Sequence, residues 1–244
     1  MEQSNIVIWE RQGELGICSI SNGKENYLNN PDFVSLNKLK KWTSEKGLKG
    51  IIIRGAGRNF SAGADIDKLI ELAKDQDLLQ NKMTEGKKIL DYIENLNIPV
   101  IAAINGVCFG GGLEIALACH MRIASKTALF AFPEINHGFI PGLGGSYRLV
   151  HLLGNKAKEV LLNGDMLNSE RAEEIGLADH ISEDKDSFEF ALEKLKSLTL
   201  DRSIELIHSA MQAIRNATIL EKDKALKIET ELFCKLAVNV KKDQ

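Results

Sequence analysis

The 244-residue sequence predicts an α/β fold that ends in a group of helices. Short runs of β-branched residues alternate with segments whose apolar residues recur at helical spacing, a pattern typical of this class. Only amphipathic helical patterns follow residue 200. We therefore expect a core over residues 1–200 and a C-terminal helical region over residues 201–244.

The N-terminal part begins with a predicted β-hairpin. Residues 6–10 and 15–20 are short apolar strands on either side of a polar turn. After a polar loop, Pro31 is predicted to start a helix, since apolar residues then recur at helical spacing at Phe33, Leu36, Leu39 and Trp42. Residues 50–54 predict a buried strand.

The middle of the chain contains its most apolar stretch. Residues 67–96 predict a helix with an apolar stripe only in its second half. Residues 98–104 predict a buried strand, since they are rich in β-branched residues and carry no charge. The segment 113–119 is apolar on every side except at Glu114, and its alanines favour a buried helix.

The remaining elements are predicted to be mostly helical. Helical patterns cover residues 146–153 and 155–163, and a further helix begins with Ser169 as its N-cap. Residues 176–181 end the core. The C-terminal helices are predicted over residues 187–200, 201–217 and 220–238.

Three consecutive glycines, Gly110, Gly111 and Gly112, predict a site for developing negative charge. They allow another group to approach the backbone, and the first N–H groups of the following helix have no partner within it. The segment matches neither a Walker loop nor the dinucleotide-binding pattern. A plain tight turn is the alternative explanation.

Two glutamates near these glycines predict acid–base chemistry. Glu114 lies on an otherwise apolar helix, where a carboxylate is costly to bury unless it is paired or protonated. Glu134 lies at the end of a second apolar strand, in the segment 128–135. The pair suggests proton transfer on a substrate whose oxygen becomes anionic. The alternative is a salt bridge with a basic residue such as Arg122 or Arg148.

Composition excludes several classes of function. A net charge of −3 and a pI near 6.0 give no basic surface for nucleic acid. No apolar run is long enough to span a membrane, and the N-terminus has no leader pattern, so we expect a cytoplasmic protein. The histidines lack metal-ligand spacing, so no metal site is expected. The four cysteines are predicted to be reduced core thiols: Cys18, Cys108, Cys119 and Cys234.

Five segments together resemble the motifs of the crotonase superfamily, the enoyl-CoA hydratases and isomerases. They occur in the order and at the spacing of that family, over most of the chain from about residue 6 to 181. The segments are FSAGADI at 60–66, IPVIAAING at 98–106, GGGLE at 110–114, FPE at 132–134 and GFIPGLGG at 138–145.

The resemblance implies a spiral of ββα units with a C-terminal helical region that builds trimers, which commonly pair into hexamers. It also implies an enoyl-CoA hydratase of fatty acid metabolism, with a lyase activity that adds water in the syn orientation. The backbone N–H groups of Ala64 and Gly111 would form the oxyanion hole. Glu114 would activate water, and Glu134 would exchange the proton at C2.

The resemblance further implies residues that bind the substrate, with coenzyme A as part of it and no tightly bound cofactor. Lys24 would meet a coenzyme A phosphate, although its loop departs from the family's usual sequence and a solvated lysine is the alternative. Ile66, Leu69, Ile70 and Leu72 would contact the acyl tail, or would simply pack their helix. The other implied contacts are Ala62, Gly63, Asp65, Gly110, Phe132, Pro141 and Gly142.

Other activities stay open. An isomerase or a decarboxylase would use the same oxyanion site, and a non-catalytic assembly subunit would retain the fold without the chemistry. The sequence lacks the family's usual C-terminal tail, which leaves a thioester carried by an acyl-carrier protein as an alternative substrate. His120 departs from the family's aspartate and is expected to be structural. His137 is expected to be an exposed loop residue.

Overall fold

The computed structural model describes residues 6–183 and 186–238, whose strands form two sheets. The nine strands of these residues are β1 (Val7–Gln12), β2 (Leu15–Ile20), β3 (Gly50–Gly55), β4 (Val100–Ile104), β5 (Val107–Phe109), β6 (Met121–Ser125), β7 (Leu129–Ala131), β8 (Leu167–Asn168) and β9 (His180–Ser182). The main sheet has the order β1-β2-β3-β4-β6-β9, and β5, β7 and β8 form a second, smaller sheet.

The predicted hairpin and buried strands are confirmed. Strands β1 and β2 pair antiparallel, with Val7 opposite Ile20, and every other neighbouring pair in the main sheet is parallel. Strands β3 and β4 are adjacent and carry β-branched side chains such as Ile52 and Ile101, both fully buried. Parallel strands are usually covered on both faces, which explains their continuous apolar sequences.

The helices lie mainly between and after these strands. They are α1 (Leu36–Thr43), α2 (Ile66–Leu72), α3 (Gln76–Glu94), α4 (Gly111–Ala118), α5 (Gly145–Leu153), α6 (Ala157–Asn163), α7 (Ser169–Ile175), α8 (Phe188–Thr199), α9 (Ile204–Ile219) and α10 (Lys222–Val238). Short 3₁₀ turns occupy Pro133–His137 and Gly154–Lys156.

Three predicted helix boundaries were wrong. The helix expected from Pro31 begins at Leu36, because Ser35 keeps an extended backbone as its N-cap. The helix predicted over residues 67–96 is divided into α2 and α3, and Asp75 caps the second by accepting from the Leu78 amide. The cap of α7 is Asn168, one residue before the predicted Ser169.

Helix α4 occupies the centre of the molecule, and all of its residues are buried. It begins directly after β5 and packs against α3 and α5. This position explains why its sequence is apolar on every side, since no face of the helix meets water. Glu114 is the one charged residue on α4, so the fold holds a carboxyl group inside the core.

Helices α9 and α10 pack against each other at the C-terminal end of the described chain. Cys234 is exposed on α10, so the prediction of a core thiol was wrong for this residue, whereas Cys18, Cys108 and Cys119 are buried and free. Within residues 6–183 and 186–238, none of the helices is both long and apolar enough to cross a membrane. The predictions on the N-terminal leader and the C-terminal tail fall on residues 1–5 and 239–244, outside the described residues.

Candidate active site

A cavity of about 230 Å³ opens between the N-terminus of α4, helices α2 and α3, and the loop before α5. Both glutamates and the glycine-rich segment line it, although they are separated by up to 24 residues in the chain. The predicted site residues that line this cavity are Ala62, Ala64, Asp65, Ile66, Leu69, Leu72, Gly110, Gly111, Glu114, Glu134 and Gly142.

The triple glycine is required by close packing, so a plain tight turn does not account for it. Gly110 has φ +49°, and a Cβ atom there would lie 2.7 Å from Glu134 Oε1. A Cβ on Gly112 would lie 2.6 Å from the Ser61 carbonyl oxygen. These contacts bring β5 and α4 against both the 60–64 loop and Glu134, which no larger residue would permit.

The loop that carries Ala64 lies beside the first residue of α4. Gly63 has φ +83°, and a Cβ atom on it would lie 2.7 Å from the Phe109 carbonyl oxygen and 3.2 Å from the Gly111 amide nitrogen. Ser61 supports the loop: its hydroxyl donates to the Asn26 carbonyl at 2.7 Å and accepts from the Gly63 amide at 3.1 Å. The two backbone segments are therefore held in contact.

The backbone amides of Ala64 and Gly111 are free to donate to a ligand. Within the described ranges, neither N–H group donates to a protein acceptor. Gly111 is the first residue of α4, where the N–H has no partner in the helix and lies at the positive end of the helix dipole. Two unpaired donors beside one cavity suit an oxygen that becomes negatively charged.

Glu114 is buried, with 2% of the residue exposed, and a loop from another part of the chain binds it. Its Oε1 atom accepts from the backbone amides of Leu143 and Gly145, each at 2.7 Å. Burial raises the pKa of Glu114, whereas these two amides, Arg148 and Lys87 oppose that rise. The carboxyl group is thus fixed in orientation, and it keeps access to the cavity.

Glu134 has a less polar environment. It lies on the 3₁₀ turn that follows β7, so the prediction that it ends a strand was wrong. Its Oε2 atom is buried and has no hydrogen-bond partner within residues 6–183 and 186–238. Burial raises the pKa of Glu134 to about 7, and repulsion by Glu114 adds to the rise. A carboxyl group with a pKa near neutrality can both release and accept a proton at physiological pH.

A family model described as enoyl-CoA hydratase/isomerase matches residues 30–243. The chain belongs to the enoyl-CoA hydratase/isomerase family. The resemblance to the crotonase superfamily, predicted from the five motifs, is therefore confirmed, as is the prediction of an enzyme related to enoyl-CoA hydratases.

Individual relatives match nearly the whole chain. A probable enoyl-CoA hydratase of Bacillus subtilis is 33% identical over 226 residues, which cover 90% of this chain and 85% of the relative. The short-chain-enoyl-CoA hydratase of Clostridium acetobutylicum is 31% identical over 239 residues, which cover 96% of this chain and 89% of the relative. The crystal structure of an enoyl-CoA hydratase from Thermoplasma volcanium has a TM-score of 0.84 at 28% identity and covers 97% of this chain and 94% of that one. The predicted α/β class is thus confirmed.

Neither glutamate of this family member forms the alternative salt bridge. Arg122 pairs with Asp179 at 2.7 Å, and Arg148 pairs with Asp91 at 2.6 Å and with Glu94 at 2.9 Å. Within the part of the chain that the structure describes, no ion pair involves Glu114 or Glu134. The two carboxyl groups are therefore not used to neutralise a buried arginine.

Five predicted substrate contacts lie outside this cavity. Ile70 of α2 is one of them, and half of the residue is exposed. The Lys24 side chain is 78% exposed and lines a separate cavity with Arg58 and Asn59. Phe132 is fully buried behind the site, near Gly145. Gly63 and Pro141 are adjacent in sequence to lining residues but do not line the cavity themselves.

The two histidines differ in position. His120 is structural: its Nδ1 atom accepts from the Val100 amide at 2.9 Å, and its Nε2 atom lies 3.1 Å from the Glu94 carbonyl oxygen. This arrangement requires a neutral ring, and burial lowers the pKa of His120. His137 is exposed, as predicted, and it also lines the cavity at the end of the 3₁₀ turn.

Sequence reasoning missed much of the apolar wall of the cavity. The missed apolar residues are Leu28, Pro31, Ala73, Leu79, Met83, Pro133, Phe139, Ile140 and Leu143. The spacing of Leu79 and Met83, one helical turn apart on α3, could have indicated a common face. Their segment was instead interpreted as polar, because charged and amide residues surround them.

Proposed function

We propose that this chain is an enoyl-CoA hydratase, a lyase that adds water reversibly across the 2,3 double bond of an enoyl thioester. The observation that carries the proposal is the meeting of a buried carboxyl group, a half-buried one and two unpaired backbone amides at one cavity. Relatives named as hydratases over most of the chain support the same reaction.

The backbone amides act on the thioester oxygen. When water adds at C3, negative charge moves through C2 and the carbonyl carbon onto that oxygen, giving an enolate-like transition state. The N–H groups of Ala64 and Gly111 hold this charge. Because the donors are fixed by the contact between the 60–64 loop and α4, they need no reorganisation, and each contributes about 3–4 kcal/mol.

The glutamates move the protons. Glu114 removes a proton from the water whose oxygen bonds to C3, and Glu134 gives a proton to C2, so one water molecule is added in total. Exchange with solvent then restores both carboxyl groups. Since both side chains line the same cavity, the proposal includes syn addition, and dehydration runs through the same groups in reverse.

The substrate is a thioester whose acyl chain fits an apolar pocket. Ile66, Leu69 and Leu72 from α2 and Met83 from α3 supply that wall. Coenzyme A is the proposed carrier and is part of the substrate, with no metal and no tightly bound cofactor. An acyl-carrier-protein thioester is the alternative, and a comparison of the two carriers at equal acyl length tests it.

We also propose the finer features that the resemblance implies. These are a spiral of ββα units, a helical region over residues 201–244 that builds trimers or hexamers, and a cytoplasmic location. Exposed apolar side chains on α10, such as Phe233 at 70% exposure, support an interface between copies. Sedimentation-velocity ultracentrifugation of the purified chain at micromolar concentration tests the assembly, and a monomer under these conditions would contradict it.

The reaction is tested with crotonyl-CoA, by following the loss of its conjugated absorbance. We expect hydration by the wild type, and a fall in kcat of about 100-fold or more in Glu114→Gln and in Glu134→Gln, since each change removes an acid–base group. Glu71→Gln is the matched control, because its exposed carboxylate lies outside the cavity lining. This control should retain wild-type kcat.

The same samples distinguish the alternatives. A wild type that fails to hydrate crotonyl-CoA but converts a 3-enoyl thioester into the 2-enoyl isomer would be an isomerase. Release of CO₂ from a malonyl-type thioester would identify a decarboxylase. Binding of acetoacetyl-CoA without turnover of any of these substrates would support a non-catalytic role and refute the proposed function.

A further inference from the structure

The loop between Gly142 and Gly145 determines where the Glu114 carboxyl group lies. Leu143 and Gly145 each direct a backbone amide at Oε1 of Glu114, and Gly144 between them has φ +97°. A left-handed residue between the two donors lets both amides converge on one atom. The direction of the carboxyl group therefore depends on the conformation of three consecutive residues.

Arg148 holds that loop in place. Its Nη1 atom donates to the Leu143 carbonyl oxygen at 2.9 Å. Leu143 therefore joins the two side chains: its N–H donates to Glu114, and its C=O accepts from Arg148. The other guanidinium nitrogens donate to carboxylates on α3: Nε to Glu94 at 2.9 Å and Nη2 to Asp91 at 2.6 Å. The side chain is buried, and a Cβ atom on Gly144 would lie 2.6 Å from Nη1.

We propose that Arg148 is a positioning residue for the reaction: by fastening the Leu143–Gly145 backbone to α3, it aligns the Glu114 carboxyl group with the reacting water. This inference rests on the proposed function, because it takes Glu114 as the group that activates water. Arg148 itself does not line the substrate cavity, so it acts on Glu114 through the Leu143–Gly145 loop and through its positive charge.

The competing explanation is that Arg148 only joins α3 to α5. The chain offers a matched control in Arg122, whose side chain is equally buried and also binds three groups. Arg122 binds one carboxylate and two backbone carbonyls, whereas Arg148 binds two carboxylates and one backbone carbonyl. Its partners are Asp179, Leu177 and Cys119, and none of them lines the cavity. The two arginines are alike in burial and in the number of groups that they bind, and they differ in their connection to Glu114.

The first test compares Arg148→Met with Arg122→Met, with activity expressed per folded molecule. Both variants should lose stability, since each leaves the backbone carbonyl of a buried residue without its side-chain donor. We expect Arg148→Met to lower kcat for crotonyl-CoA by about 30-fold with KM changed less than about threefold, because a misaligned base affects chemistry more than binding. Arg122→Met should retain kcat within about twofold of wild type. Equal losses in the two variants would overturn the proposal.

The second readout is the pH profile. The charged groups that face Glu114 are Arg148 from α5, Lys87 from α3 and Glu134 from the 3₁₀ turn. Removing the positive charge of Arg148 should raise the pKa of Glu114, so the acid limb of kcat should move to higher pH in Arg148→Met. Arg148→Lys keeps the positive charge but lacks the forked N–H donors of the guanidinium. In this variant we expect the acid limb of the kcat profile to stay near its wild-type pH, and kcat itself to be reduced. An acid limb that does not move in Arg148→Met would refute the inference.

A milder pair of variants covers the case in which Arg148→Met does not fold. Glu94→Ala removes one anchor of the guanidinium, whereas Glu85→Ala removes an exposed carboxylate from the same helix. We expect kcat to fall by about three- to tenfold in the first and to stay unchanged in the second. Equal kcat in the two variants would contradict the proposal that Arg148 positions Glu114.

A measurement without turnover separates this inference from the proposed function. ¹³C NMR titration of the Glu114 carboxyl group in Arg148→Lys and in wild type reports its surroundings directly, whether or not crotonyl-CoA is hydrated. The positioning role of Arg148 is supported if the chemical shift and titration of the Glu114 carboxyl carbon change in Arg148→Lys and stay unchanged in Arg122→Lys. This result would hold even if the wild type proves inactive as a hydratase. Identical Glu114 signals in all three proteins would overturn it.

Discussion

Replacing Gly110 by alanine tests whether the position of Glu134 matters for the reaction. A Cβ atom at residue 110 would lie 2.7 Å from Glu134 Oε1, whereas ordinary contact begins at 3.4 Å, so the oxygen has to move by about 0.7 Å. Since a misplacement of about 1 Å can cost about 100-fold in rate, we expect kcat to fall by about 10- to 100-fold. The positive φ should also cost about 1–3 kcal/mol of unfolding free energy.

Gly154 provides a control with nearly the same backbone conformation. Its φ and ψ are +57° and −128°, compared with +49° and −122° at Gly110, and a Cβ atom there would meet nothing within 4 Å. Gly154→Ala should therefore share the loss of stability of about 1–3 kcal/mol and retain kcat. Urea unfolding and the crotonyl-CoA assay measure the two effects separately. If Gly110→Ala keeps the kcat of Gly154→Ala per folded molecule, the argument that Glu134 must hold its present position is wrong.

Three further predictions concern pH and substrate size. Glu134, with a pKa of about 7, must hold the proton that hydration delivers to C2, so kcat/KM for hydration should fall above pH 7. Because the overall reaction neither consumes nor releases a proton, kcat/KM for dehydration should follow the same profile, and a hydration rate that does not fall above pH 7 would contradict this role of Glu134. The folded-state pKa of His120 lies below its ordinary 6.5, so the stability contributed by the neutral ring is present above pH 6.5 and is lost on acidification. Between pH 7 and pH 5, the free energy of unfolding measured in urea should therefore fall more steeply for wild type than for His120→Asn, and parallel curves would contradict this. Met83 occupies the space beside Gly142, so Met83→Ala should improve kcat/KM for octenoyl-CoA relative to crotonyl-CoA by about tenfold, and an unchanged ratio would exclude Met83 as the limit of the pocket.

The sequence predicted those parts of the site that depend on local chemistry. Glu114 was identified because a carboxylate on a helix with no polar face is an anomaly visible in seven consecutive residues. Gly110 and Gly112 were predicted to let another group approach the backbone, with a plain tight turn as the alternative. The groups that come close to them, Glu134 and Ser61, became known only from the structure. The strands were predictable for a similar reason, since burial on both faces leaves continuous apolar runs.

Contacts between distant segments were not predictable. The amides that bind Glu114 come from residues 29 and 31 positions later, and nothing in their own sequence indicates a buried carboxylate as acceptor. Leu79 and Met83 face a cavity and are only partly buried, so their helix mixes apolar and polar residues without a clean stripe. Pro31 did not start a helix, and its carbonyl instead packs closely against Gly86 of α3, a contact between segments far apart in sequence.

The contrast between the two carboxyl groups supports a division of labour between them. Both have their pKa raised by burial, which makes each a stronger base than an exposed glutamate. Glu114 accepts two backbone hydrogen bonds and faces Arg148 and Lys87, all of which favour its ionised form. Glu134 has a buried oxygen with no donor among the described residues and is repelled by Glu114, both of which favour its protonated form. Environments that differ in this way suit Glu114 to take the proton from water and Glu134 to supply the proton to C2.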